Sequence, residues 1–89
     1  MSYEILYSSQ VVKVDIPKLT SADKQRVKKA IESKLTTEPD LFGKPLRKSA
    51  KGYWSLRVGD LRVIFRIEQK KVKIFLISNR SEVYKDTNL

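Results

Sequence analysis

The sequence contains no cysteine and no histidine. The first absence excludes disulfides and thiolate metal sites. The second removes the commonest general base and the commonest neutral metal ligand. The expectation is chemistry without metal or cofactor. Glycine and proline are scarce, three of each, and no repeat, linker or low-complexity tract interrupts the chain. Hydrophobic residues make up 40% of it, more than a disordered segment carries. No apolar run approaches the length of a membrane span. Met1-Ser2-Tyr3-Glu4 lacks the basic start and apolar stretch of a signal peptide. These two absences predict a cytoplasmic protein with no membrane partner.

Positive charge is abundant. Nineteen Lys and Arg stand against ten Asp and Glu, a net charge of +9 on 89 residues. That length predicts one small domain spanning residues 1–89, with a thin core. A field this strong on so small a body suggests a polyanionic partner, whether nucleic acid, an acidic protein segment or an anionic surface.

Hydrophobic spacing outlines the elements. Glu4–Tyr7 reads as a short strand. Over Ser9–Leu19, Val12, Ile16 and Leu19 have helical spacing, whereas Val12, Val14 and Ile16 alternate like a strand. Helix is preferred, because a second helix follows at once and the two can form a hairpin. Thr20 caps that second helix, with Asp23 three residues on. Val27, Ile31 and Leu35, with Ala30 beside them, form its apolar stripe; Gln25, Arg26, Lys29, Glu32 and Ser33 lie on the far side. Glu38-Pro39 marks its end, and a loop through Phe42, Gly43 and Pro45 follows.

The remainder reads as strands. Tyr53–Val58 and Leu61–Ile67 flank Gly59-Asp60, a Gly-X pair suited to a type II′ hairpin turn. Val72–Ser78 follows the polar turn Glu68–Lys71, and Arg80–Tyr84 either continues it or adds a short edge. The two turns fix a register. Val58 faces Leu61, Arg57 faces Arg62, Leu56 faces Val63, Ser55 faces Ile64 and Trp54 faces Phe65. A turn at Gln69-Lys70 then sets Glu68 against Lys71, Ile67 against Val72, Phe65 against Ile74 and Val63 against Leu76. One face becomes wholly apolar: Trp54, Leu56, Val63, Phe65, Ile67, Val72, Ile74 and Leu76. It must be the core, covered by the helices. The predicted fold class is α+β: an N-terminal strand, a helical hairpin, then an antiparallel sheet of three to four strands, in two layers.

The opposite face carries Arg57, Arg62, Arg66 and Lys73. Like charges directly across a sheet repel. A phosphate shared by Arg57 and Arg62 would relieve the repulsion and accept forked hydrogen bonds. Ile64, Phe75 and Ile77 share this predicted face, an apolar strip open to a stacked base, a partner helix or the chain's own C-terminal tail. Tyr53 is the aromatic eligible to stack, since the register makes Trp54 core. Lys24, Lys28, Lys29 and Lys34 on the second helix read as a solvated border able to steer a polyanion.

The segment Gly52-Tyr53-Trp54-Ser55-Leu56-Arg57-Val58-Gly59-Asp60-Leu61-Arg62-Val63-Ile64-Phe65 resembles the strand-turn-strand signature of RelE/ParE toxins. Asn79-Arg80-Ser81-Glu82-Val83-Tyr84 resembles the closing motif of that family, and Lys44-Pro45-Leu46 its lead-in to the first central strand. The resemblance spans almost the whole chain. It implies the toxin of a type II toxin–antitoxin pair, neutralised by an acidic or amphipathic antitoxin in a hetero-oligomer. RelE-like members cut messenger RNA in the ribosomal A site without metal; ParE-like members inhibit DNA gyrase. Carried over by position, the resemblance implies catalytic roles for Arg62 at the scissile phosphate, for Tyr84 in proton transfer or stacking, and for Arg80. Arg57 matches a basic position on the preceding strand, and Lys51 lies close to where the family carries its lysines; together with Arg66, Lys73 and Tyr53 from the sheet register they are the expected RNA and phosphate contacts. The chain departs from the RelE pattern at Tyr53 and Ser55, where such enzymes carry lysines, and at Ser78, where they carry a second arginine. The expected partners are the ribosome, messenger RNA and the antitoxin, with gyrase as the alternative target; a third alternative is a catalytically degenerate toxin homologue that only binds its antitoxin.

Overall fold

The structure, a computed structural model, describes residues 3–46 and 52–79. Five strands form one sheet: β1 (Glu4–Tyr7), β2 (Lys44–Pro45), β3 (Trp54–Val58), β4 (Leu61–Glu68) and β5 (Lys71–Asn79), in the order β1-β5-β4-β3-β2. Neighbours are antiparallel except that β1 runs parallel to β5. The count exceeds the predicted three to four for two reasons. The N-terminal strand joins the same sheet, and Lys44–Pro45, read as loop, pairs with Trp54 and Ser55. Proline lacks an N–H and suits an edge strand, which is where β2 lies.

Helices cover one face. Residues 9–18 form a continuous helical run, α1, whose middle is π-wound over Val11–Asp15 and whose end, Ile16–Lys18, is a 3₁₀ turn. Pro17 explains the irregular winding, because it has no N–H to return to Lys13. The winding also moves the buried stripe. Val12, expected in the core, is 53% exposed, whereas Val11 and Asp15 are buried; Ile16 and Leu19 pack where expected. In α2, residues 21–35, Thr20 accepts a hydrogen bond from the Asp23 amide at 3.1 Å, the predicted cap. Its stripe of Val27, Ile31 and Leu35 is buried as expected.

Pro39 does more than end α2. It occupies the first turn of a short helix, α3 (Pro39–Phe42), where its missing N–H costs nothing. Gly43 then passes so close to the core that a β-carbon there would stand 2.5 Å from Phe65 Cζ.

The β3–β4 register is the predicted one at all five pairs, from Trp54↔Phe65 to Val58↔Leu61. Gly59 has φ +60° while Asp60 stays in ordinary space, as a type II′ turn requires. Gln69 repeats this at the next turn with φ +57°. Along β4–β5 the register holds from Glu68↔Lys71 to Phe65↔Ile74, then shifts at a β-bulge. Beyond it Ile64 faces Leu76 and Val63 faces Ile77, so Ile77 enters the core and Leu76 turns to the other face. The predicted pair of Val63 with Leu76 is therefore displaced by one residue. A bulge sets two residues against one, and apolar alternation cannot reveal it when Leu76 and Ile77 are both suited to a core.

Candidate nucleic-acid interface

The face of the sheet away from the helices brings the predicted basic residues together. Arg57 and Arg62 are directly opposed on β3 and β4, and Arg66 and Lys73 on β4 and β5. The two pairs have different surroundings. Arg66 Nη2 lies 3.2 Å from Glu68 Oε1, and Lys73 Nζ 2.7 Å from Glu68 Oε2. Glu68 thus neutralises much of their field. Its hydrogen bond with Lys73, then the Lys73, Arg66 and Lys71 charges, holds its carboxyl below the usual glutamate range.

Arg57 and Arg62 have no such acid among the described ion pairs. Arg57 is exposed and donates through Nε to the Gly59 carbonyl at 3.4 Å, a long contact. Arg62 is half-buried, and its Nε is a buried donor with no hydrogen-bond partner among the described residues. A buried donor left unmade costs about 1–3 kcal/mol. A cation pair facing one another with an orphan donor is a ready anion site. Arg26, read as lying on the solvent side of α2, also reaches this hairpin; its Nη1 lies 3.8 Å from where a Gly59 β-carbon would stand.

Beside the arginines is an aromatic cluster. Tyr53 meets Phe75 edge to face, with centroids 5.2 Å apart and an interplanar angle of 87°, and the Arg66 guanidinium sits 5.8 Å from the Tyr53 ring centre. Trp54 instead stacks on Phe65 at 6.4 Å and belongs with the core. Ile64 is fully buried although it faces away from the helices. The apolar strip is Ile64, Phe75 and Leu76 rather than Ile64, Phe75 and Ile77, because of the bulge.

The predicted residues Arg80, Tyr84 and Lys51 lie outside the described residues, as does the expected strand Arg80–Tyr84. Glu68, the partner of Arg66 and Lys73, was not among the residues expected at this face. Strand alternation was the available signal, since it sets residue 68 on the same face as residues 62 and 66. Nor was Asp15 expected: it is a buried carboxylate that accepts the Ile77 N–H at 3.0 Å and a Gln10 side-chain N–H at 3.1 Å. An acid four residues after Val11, on the same helical face, was the sign.

On the helix side, an open groove of about 350 Å³ lies between α1, α2 and the β1–β5 edge. Ile16, Leu19, Val27, Ile31 and Ile77 line it, and Lys24, Lys28 and Glu32 rim it. Tyr7 lies in the same groove, where burial pushes its hydroxyl pKa up, and the Glu32 charge adds to the rise. No helix among the described residues is long and apolar enough to cross a membrane.

The family model of the ParE toxin of type II toxin–antitoxin systems matches residues 5–84. This chain belongs to that family. It is a toxin of the RelE/ParE superfamily, from a type II toxin–antitoxin system. Solved toxins share its fold. A chain of the RelBE2 toxin–antitoxin complex of Mycobacterium tuberculosis is 28% identical, with a TM-score of 0.82, covering 90% of this chain and 100% of that one. A chain of the archaeal RelE–RelB complex of Pyrococcus horikoshii is 25% identical, with a TM-score of 0.65 and coverage of 90% and 97%. An arginine double variant of Escherichia coli RelE in the free state is 20% identical, with a TM-score of 0.71 and coverage of 97% and 94%, a likeness of fold. No curated protein sequence matches.

Proposed function

We propose that this toxin is a metal-independent, ribosome-dependent mRNA endonuclease that inhibits translation. The observation that carries the proposal is Arg62: half-buried, opposed to Arg57, with a buried Nε that has no partner among the described residues. A scissile phosphate placed there gives that donor its acceptor and relieves the repulsion between the guanidiniums. In strand cleavage by the neighbouring 2′-hydroxyl, its oxygen bonds to phosphorus, the bond to the 5′-oxygen breaks, and charge builds on the non-bridging oxygens. Fixed guanidinium donors stabilise that charge more than the ground state. Arg57 and Arg62 are the residues proposed for this role, with Tyr84 and Arg80 supplying proton transfer and further phosphate contact. Tyr53 contributes a ring for stacking, and Arg66, Lys73 and Lys51 extend the basic track. A cognate antitoxin, net acidic and amphipathic, neutralises the toxin in a hetero-oligomer, with a helix or strand laid along the groove. RelE in two similar structures is held with RelB, which supports an antitoxin partner here.

The test is primer extension on ribosome-bound messenger RNA with purified protein. Cuts at ribosome-dependent positions, lost in Arg62→Ala, are expected; uncut messenger RNA with active wild-type protein would overturn the proposal.

A second reading is inhibition of DNA gyrase without RNA cleavage. The match to the ParE family model favours it, as do Tyr53, Ser55 and Ser78 at positions where RelE enzymes carry basic residues. Supercoiling by purified gyrase, measured with and without the protein, separates the two.

A further inference from the structure

We infer that Arg26, on α2, is a further phosphate contact, and that bound RNA passes from the Arg57–Arg62 pair around the tip of the β3–β4 hairpin to the helix side. Taking RNA as the ligand rests on the function proposed above.

The two ends of β4 differ in charge. At one end Glu68 engages Arg66 and Lys73. At the other, next to the turn, Arg57 and Arg62 stand with no acid paired to either among the described residues. A phosphate held by that pair lies one residue pair back from Gly59-Asp60. The strand that carries it leaves the face either along the sheet toward Glu68 or over the turn. The first route meets a carboxylate. The second meets Arg26.

The fold brings Arg26 there. Val58 and Leu61, the pair nearest the turn, pack into the core on the helix side. The first half of α2 lies against β3, and the burial of Val27 sets its rotation. Arg26, the residue before Val27, is exposed, and its Nη1 lies 3.8 Å from where a Gly59 β-carbon would stand. Arg57 reaches the same glycine from the open face, its Nε donating to the Gly59 carbonyl at 3.4 Å. Two guanidiniums from opposite faces of the sheet thus converge on one residue, which has no side chain to stand between them.

Arg26 is also uncommitted. Asp23, three residues earlier, is within reach by helical spacing, and Asp60 sits in the turn itself. Neither forms an ion pair with Arg26 among the described residues. Cations held around one turn repel, and each offers forked donors suited to a phosphate oxygen pair. Single-stranded RNA carries a charge at every nucleotide on a backbone able to follow such a bend, as it does in basic grooves that track it. Arg62, Arg57 and Arg26 form a row of that kind.

The experiment is titration of a fluorescent single-stranded RNA 12-mer at several salt concentrations, on the full chain and on Arg26→Ala, Arg62→Ala, Asp60→Asn and Lys13→Ala. Lys13 is exposed on α1, so its removal takes away the same charge and reads the general field alone. Arg26→Ala should lower affinity about fivefold at about 50 mM salt and make the salt dependence shallower by about 0.7, one single-strand contact. Lys13→Ala should leave the salt dependence as it is. Asp60→Asn should raise affinity, because the carboxylate it removes faces the same RNA backbone at the tip. Arg26 is exposed and alanine suits a helix, so thermal melts should show Arg26→Ala folded as wild type. Equal weakening in Arg26→Ala and Lys13→Ala, or an unchanged salt dependence in Arg26→Ala, would overturn the inference. So would an equal loss of affinity for a polyglutamate peptide, which would assign the tip to an acidic protein. Weakened binding in Arg62→Ala but not in Arg26→Ala removes the tip contact and keeps the proposed function. Weakened binding in Arg26→Ala but not in Arg62→Ala keeps the tip contact and removes the proposed phosphate site. Wild type that binds no RNA removes both.

Discussion

Arg57 and Arg62 face one another across β3 and β4 with no acid paired to either among the described residues, whereas Arg66 and Lys73, the next basic pair on the same face, share Glu68. The contrast divides one basic surface into an open pair and a neutralised pair. The proposed anion site is the open pair.

Removal of either open arginine should therefore separate function from stability. Arg62→Ala deletes the orphan donor and the repulsion together, so its stability should stay within about 1 kcal/mol of wild type. Its RNA affinity should fall about tenfold, and the dependence of binding on salt should become shallower by roughly one phosphate contact. Chemical denaturation and RNA titration at several salt concentrations check both.

Glu68→Gln should do the opposite to binding. Freed from their shared acid, Arg66 and Lys73 add to the basic field, and RNA affinity should rise, most visibly at low salt. The folded Glu68 carboxyl has a lowered pKa, so its contribution is present above the ordinary glutamate pKa. It is lost as pH falls through the lowered folded value. Stability of wild type should thus fall more than that of Glu68→Gln across that acid window, as thermal melts at stepped pH would record.

These relationships were legible to different degrees. The β3–β4 face was readable because a Gly-Asp turn and five alternating pairs all impose one register. The bulge was not, since Leu76 and Ile77 satisfy the core equally and alternation cannot tell them apart. The stripe of α2 followed from spacing alone, because no proline disturbs it. That of α1 did not, because Pro17 breaks the helical ladder and turns Val12 outward. The arginine pair was visible as a face, but its distinction from the Arg66–Lys73 pair depends on side-chain reach, which alternation does not encode.

Gly43→Ala should destabilise the protein by about 1–3 kcal/mol. The new methyl would stand 2.5 Å from Phe65 Cζ and 3.0 Å from the Pro39 carbonyl, and Phe65 is fully buried with little room to yield. A drop in melting temperature with unchanged RNA affinity is expected.

Gln69→Gly should stabilise it by about 1 kcal/mol. Gln69 holds φ +57° at the β4–β5 turn, a conformation that costs an L-residue with a β-carbon but not glycine. Urea denaturation checks the sign. A loss of stability would mean that the side chain contributes more than the strain costs.

The most direct test of the central claim, that the Arg62 face acts on messenger RNA at the ribosome, is pulse labelling after brief induction without antitoxin. Incorporation of methionine and of thymidine would be compared for wild type and Arg62→Ala. Methionine incorporation should fall first in wild type and be unaffected in Arg62→Ala. Thymidine incorporation falling first, or wild-type toxicity in Arg62→Ala, would contradict it.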